Sequence, residues 1–130
     1  MKDVLYKNSK IEVRRSPIHG YGVFANDDIN AGETLEECYY LNISKTQIVD
    51  GLRDYVFGHV ENNKKNIIVV LGYGSIYNSS NVESERNAKT KIFPEDKYIS
   101  FYAMNNIKKD EEIFIYYTPR PKIKQILGKK

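Results

Sequence analysis

Apolar and polar residues alternate at Ile11, Glu12, Val13 and Arg14, the period of a strand with one buried face. β-Branched and aromatic residues concentrate in residues 34–41, 66–71, 98–103 and 112–117, and each segment reads as a strand. Turn-forming residues separate them at Ser16-Pro17, Asn30-Ala31-Gly32, Pro94-Glu95-Asp96 and Lys108-Lys109-Asp110. No segment carries a long stripe at helical spacing. Residues 44–55 are the best helical candidate, because Ser44 can cap and Ile48, Leu52 and Tyr55 share a face. The pattern predicts a mostly β protein of several short sheets with one or two short helices.

One internal echo runs through this pattern. Phe24-Ala25, Ile29, Gly32-Glu33 and Leu35 recur at the same spacing as Tyr102-Ala103, Ile107, Asp110-Glu111 and Ile113. Two copies are too few for a solenoid. They imply one architectural device used twice, a strand end, a tight turn and a new strand.

Length and composition narrow the class. A chain of 130 residues is long enough for one domain with a sizeable core and too short for two of ordinary size. The longest apolar run, residues 67–71, is too short for a transmembrane helix, and the N-terminus leads into polar sequence without a secretory h-region. A single cysteine, Cys38, forms no internal disulfide, and two histidines add too little for a structural zinc site. These features predict a soluble intracellular protein, cytoplasmic or nuclear, without membrane attachment. The net charge of +3 is uneven: residues 119–130 carry five basic side chains and no acid, while the other 118 residues hold 15 basic against 17 acidic. The expected division is therefore a domain over residues 1–118 and a basic tail over 119–130, the tail being either a solvated end that aids solubility or the one part suited to nucleic acid or an acidic partner.

Three segments carry candidate chemistry. In His19-Gly20-Tyr21-Gly22 the glycines allow positive φ or close approach of the backbone to a ligand. No helix follows, so dinucleotide and phosphate-loop readings fail. In residues 72–81, Asn78 sits between an aromatic and small polar residues and can offer its amide to a ligand. The third segment, Glu112 to Pro119, ends a strand in Tyr116-Tyr117, whose rings point to opposite faces. Cys38, His19 and His59 form no recognisable nucleophile–base set, which removes hydrolase and metalloenzyme readings. Tyrosine, at 11 residues with no tryptophan, supplies rings suited to lining a cleft.

Taken in order, these segments resemble the SET domain, the fold of a large class of protein-lysine methyltransferases. Ser16 to Ala25, followed by Ile29-Asn30-Ala31-Gly32-Glu33, is similar to the family's first motif. Tyr77-Asn78-Ser79-Ser80 with Asn87-Ala88 resembles its aromatic-Asn-His-Ser and Pro-Asn-Ala motif. Ile107 to Tyr117 resembles the last motif, which ends in the catalytic tyrosine. The resemblance spans residues 10–118, and the lack of large inserts makes it similar to the compact SET proteins of large DNA viruses. Ser79 stands where the family has His, Arg86 where it has Pro, and Asp110 where it has Gly.

The resemblance implies a SET fold of several short β-sheets with a C-terminal pseudoknot. It implies methyl transfer from S-adenosylmethionine to the ε-amine of a lysine in a protein such as a histone. Carried over by position, Tyr117 is the catalytic residue, and Gly20, Tyr21, Gly22, Tyr77, Asn78 and Ser79 hold the cofactor. Tyr21, Tyr55 and Tyr116 line the lysine channel, and no metal is implied. A homodimer is compatible with the sequence. Two other readings are open: a catalytically weak SET-like binding module, and a nucleic-acid-binding β-domain, which the net acidic body opposes.

Overall fold

A computed structural model describes residues 2–48, 50–61, 64–80 and 82–115. Among the described residues nine strands follow in order: β1 (Ile11–Arg15), β2 (Tyr21–Ala25), β3 (Thr34–Ile43), β4 (Val56–Glu61), β5 (Lys64–Val70), β6 (Asn78–Ser79), β7 (Ala88–Phe93), β8 (Tyr98–Ala103) and β9 (Phe114–Ile115). β1 and β2 form an antiparallel pair, and the other seven run β4-β5-β3-β8-β7-β9-β6. All pairings are antiparallel except β9 with β6 and with β7, which are parallel. The mostly β expectation holds. Strand-like spacing located β1, β3, β5, β8 and β9, whereas β2, β4, β6 and β7 lay in stretches rich in glycine or charge.

The helix expected over residues 44–55 is instead two 3₁₀ turns, Lys45–Gln47 and Arg53–Tyr55. β-Branched Thr46 and Ile48 disfavour helix, and Gly51 interrupts it. Ser44 does cap, in a reciprocal box with Gln47.

The apolar run of β5 is explained by burial on both faces. Ile68 and Val70 join the main core, while Ile67 packs with Val56 in a smaller cluster. In β3 the register slips between Thr34 and Glu36. This bulge turns Leu35 and Glu36 inward together. Beyond it Cys38 and Tyr40 are buried, and Tyr39 and Leu41 face outward.

The two echoing segments embrace each other. Ile29 and Ile107 exchange N–H···O bonds of 2.7 and 2.8 Å. Gly32 N–H donates to Ala103 O and Asp110 N–H to Ala25 O, both at 2.8 Å. Ala31 N–H reaches Asn106 Oδ1 at 2.8 Å, and Lys109 N–H reaches Asp28 Oδ1 at 2.9 Å. Within each turn a glutamate accepts from the residue three before it, Glu33 from Asn30 and Glu111 from Lys108. Every bond has its mate under a pseudo-twofold exchange of the copies. Gly32 and Asp110 both take positive φ, 89° and 74°. The aspartate is therefore in a conformation that costs a non-glycine residue about 1 kcal/mol.

Candidate functional site

The site begins at the turn joining β1 to β2. Ser16 N–H bonds Gly20 O at 2.7 Å, while the Ser16 hydroxyl accepts from Ile18 N–H and His19 N–H at 3.0 and 3.4 Å. Gly20, at φ 50°, closes the turn and returns the chain as β2. Gly22 is required for a different reason. A Cβ there would collide with the Glu112 carboxylate and crowd the Asn78 amide.

Asn78 lies on β6, directly opposite Phe114 of β9. Its Nδ2 donates to Glu112 Oε2 at 2.8 Å and lies 3.3 and 3.4 Å from the carbonyls of His19 and Tyr21. Glu112 Oε1 accepts from the Ser16 hydroxyl at 2.8 Å. One carboxylate thus joins the first motif, the Asn78 motif and the entry to β9. Asn87 secures the same junction, donating to Glu112 O at 3.0 Å and accepting from Phe114 N–H at 2.8 Å.

These elements border a cavity of about 620 Å³, a size common for small-molecule sites. His19, Gly20 and Tyr21 form one wall, and Ser75 to Ser79 form the other. Tyr55 lies at the rim, and Val13 and Ile18 supply apolar surface. The rings of Tyr21 and Tyr55 are exposed, whereas Tyr77 is only 2% exposed. Tyr77 therefore backs the wall: its ring stacks on Phe101 at 4.5 Å, and its hydroxyl donates to Glu36 Oε1 at 3.1 Å. Burial and the negative charge of Glu36 push that hydroxyl well above the usual tyrosine range. Ser75 Oγ lies 3.0 and 2.9 Å from the carbonyls of Tyr55 and Val70, tying the Tyr55 turn to the cavity wall.

Of the residues singled out from sequence, Gly20, Tyr21, Tyr55, Tyr77, Asn78 and Ser79 border this one cavity, and Gly22 lies behind it against Asn78 and Glu112. Tyr116, Tyr117 and the basic tail lie outside the described residues. Arg86, in the position of the family's proline, donates from Nε to Ser80 O at 2.8 Å and so spans the longer loop after β6. Sequence reasoning missed Ser16, Glu36 and Glu112 as parts of the site. The repeated turn was the available signal for Glu112, because it places that residue in register with Thr34 at the start of an exit strand.

The curled mostly β sheet and its glycine-edged cavity define the class to which the comparisons also lead. Residues 20–118 match the model of the SET domain. The chain is 30% identical over 114 residues to the H3 lysine-37-specific histone-lysine N-methyltransferase of Schizosaccharomyces pombe, covering 84% of this chain and 74% of the relative. It is 29% identical over 120 residues to a Plasmodium falciparum protein named as a histone-lysine N-methyltransferase, covering 85% of this chain but 2% of that protein's length. The structure of a Plasmodium falciparum protein named as a histone methyltransferase superposes with a TM-score of 0.66 at 32% identity, covering 85% of this chain and 94% of the other. The Chaetomium thermophilum Polycomb Repressive Complex 2 bound to S-adenosylmethionine shares the fold, with a TM-score of 0.66 at 23% identity over 88% of this chain and 16% of that one. The chain belongs to the SET-domain family, the S-adenosylmethionine-dependent protein-lysine methyltransferases.

The cavity fits that cofactor. Its volume is adequate, the backbone is free of side chains at Gly20, and Asn78 presents a fixed amide beside the carbonyls of His19 and Tyr21. Such a polar corner suits the amino-acid end of the molecule, and the apolar surface of Val13 and Ile18 suits its less polar remainder.

Proposed function

We propose that this chain methylates the ε-amine of a lysine in a histone or histone-like protein inside the cell, using the cavity between residues 19–22 and 75–79. The observation that carries the reading is the Ser16–Glu112–Asn78 network, which locks both walls of that cavity to the entry of β9. The family's catalytic tyrosine follows two residues after β9, at Tyr117.

When bound, S-adenosylmethionine supplies an electrophilic methyl group on a sulfonium. The backbone of Gly20 and Tyr21 would hold it from one side, with Gly22 behind them letting Glu112 and Asn78 approach. Asn78 and the backbone of Ser79 would hold its amino-acid end from the other. Tyr117 would direct its hydroxyl oxygen towards the reacting methyl, as a preorganised dipole. Tyr21, Tyr55 and Tyr116 would form the channel for the lysine side chain and exclude water from it. An unperturbed lysine has a pKa of about 10.4, and desolvation among aromatic rings lowers it, favouring the neutral amine. A dedicated base is then not required.

The test is radiolabelled methyl transfer to histone octamers and to whole-cell lysate, with cofactor binding followed by calorimetry. Label recovered as methyl-lysine supports the reading. Cofactor binding without transfer to any protein would favour a SET-like binding module, for which the Ser79 substitution is the specific motive. Absence of cofactor binding would overturn both.

A further inference from the structure

We infer that Glu36 is a positioning residue, which sets the 73–79 wall of the cavity by gripping that segment near both ends. Glu36 is only 4% exposed, and its carboxylate serves two donors of that segment. Oε2 accepts from Tyr73 N–H at 3.0 Å, where the segment begins. Oε1 accepts from the Tyr77 hydroxyl at 3.1 Å, one residue before Asn78. Gly72, at φ 69°, has no Cβ because one would press on Glu36 Oε2. The chain thus passes over the carboxylate as closely as its backbone allows.

A carboxylate is suited to this place because it only accepts, with two oxygens open to several donors at once. An amide would turn an NH₂ group towards one of those donors. The bulge in β3 makes the arrangement possible, since it turns Glu36 to the inner face next to Leu35. The N-terminal segment then covers it. Lys7 bridges Glu36 through the backbone, Asn8 N–H donates to Leu35 O at 2.9 Å, and Lys7 Nζ lies 3.7 Å over the Tyr73 ring. Tyr77 and Asn78 are adjacent, so an error in the position of the Tyr77 ring is transmitted directly to the Asn78 amide.

As a claim about cofactor affinity, the inference rests on the proposed function; as a claim about the 73–79 wall, it does not. The test compares the full-length protein with Glu36→Gln, Tyr77→Phe and the double variant. In the absence of cofactor, amide hydrogen exchange across residues 73–79 should accelerate in Glu36→Gln while the core amides of Ile68 and Ile99 keep their protection. S-Adenosylmethionine should bind Glu36→Gln about tenfold more weakly, a factor equal to about 1.4 kcal/mol. Tyr77→Phe should lose less, and the double variant no more than Glu36→Gln alone. The KM for protein substrate at saturating cofactor should stay constant. Tyr77→Phe keeps the ring stacked on Phe101, so it gives a folded variant even if Glu36→Gln does not fold. Uniformly faster exchange, unchanged exchange, or additive losses in the double variant would overturn the inference. If the wild type fails to bind cofactor while the exchange result holds, the proposed function falls and the positioning role stands.

Discussion

Replacing Glu112 with glutamine tests the centre of the site. Glu112 accepts from Ser16 Oγ and from Asn78 Nδ2, both at 2.8 Å. Glutamine can keep its oxygen on Asn78 Nδ2 only by turning its NH₂ group to Ser16 Oγ, which can accept from it but then loses the acceptor for its own hydroxyl hydrogen. Asn78 cannot rescue the pair by flipping, because its oxygen would then face the carbonyls of His19 and Tyr21, now 3.3 and 3.4 Å from Nδ2. The loss is one hydrogen bond to a charged group, about 1.5 kcal/mol at the low end of its range, since the pair is only partly buried. With an unfolding entropy of about 2.1 cal/mol/K per residue, a 130-residue chain loses roughly 5 °C in Tm. Cofactor affinity should fall about tenfold, because each 1.4 kcal/mol withdrawn from the Asn78 orientation is a factor of ten. Differential scanning calorimetry and isothermal titration with S-adenosylmethionine measure the two effects. A Tm within 1 °C of wild type, with affinity within about twofold, would refute the claim that this carboxylate orients Asn78.

Tyr117→Phe is expected to reduce single-turnover methyl transfer by about 10²–10³, by analogy with loss of one oxyanion-hole donor, with cofactor affinity unchanged; Tyr116→Phe should instead alter KM or the number of methyl groups added. The reverse pattern would move the register of that motif by one residue. Gly32→Ala should cost about 1–2 kcal/mol in a urea titration, because φ is 89° although a Cβ would meet nothing within 4 Å. Asp110→Gly should change stability by less than about 1 kcal/mol, since it relieves the left-handed backbone but removes the 3.0 Å ion pair with Arg14. The Glu33 carboxyl is held below its ordinary value chiefly by Asn30 N–H and further by Lys10. Its stabilisation is therefore present above about pH 4.3, the ordinary glutamate value, and lost as pH falls through the lower folded value. Glu33→Gln should flatten the acid limb of a stability–pH profile, and an unaltered limb would contradict this sign.

Strands whose side chains alternate or run apolar were legible because burial acts on them residue by residue. β1 and β8 announce themselves in that way. β7 reads Ala-Lys-Thr-Lys-Ile-Phe, with charge on its outer face, and β2 is preceded and interrupted by glycines serving the turn and Gly22's approach to Glu112. Neither has a local signature stronger than a loop. At the site, Gly20, Tyr21, Asn78 and Ser79 were legible through spacing and resemblance. The carboxylates were not, for two different reasons. Ser16 and Glu112 are 96 residues apart in the chain, and nothing local to either announces the bond. Glu36 reads as outward-facing when the alternation is counted from Leu35, and only the bulge reverses it.

The paired turns explain why these two carboxylates arrive at the same place. Each copy of the repeated unit ends in an exit strand, the first entering β3 at Thr34 and the second running through Glu112 and Ile113 into β9. The mutual bonds between the copies fix these exits relative to one another, through Ile29 with Ile107 and each turn with the preceding strand of its partner. Glu36 leaves the first exit and reaches the Tyr77 hydroxyl. Glu112 leaves the second and reaches the Asn78 amide. Consecutive residues of one cavity wall are thereby held by carboxylates from opposite halves of a single clasp. The short β6, only two residues long, could not supply that rigidity from its own ladder. Precision at Asn78 is a property of the repeat, imposed from outside the motif that carries it.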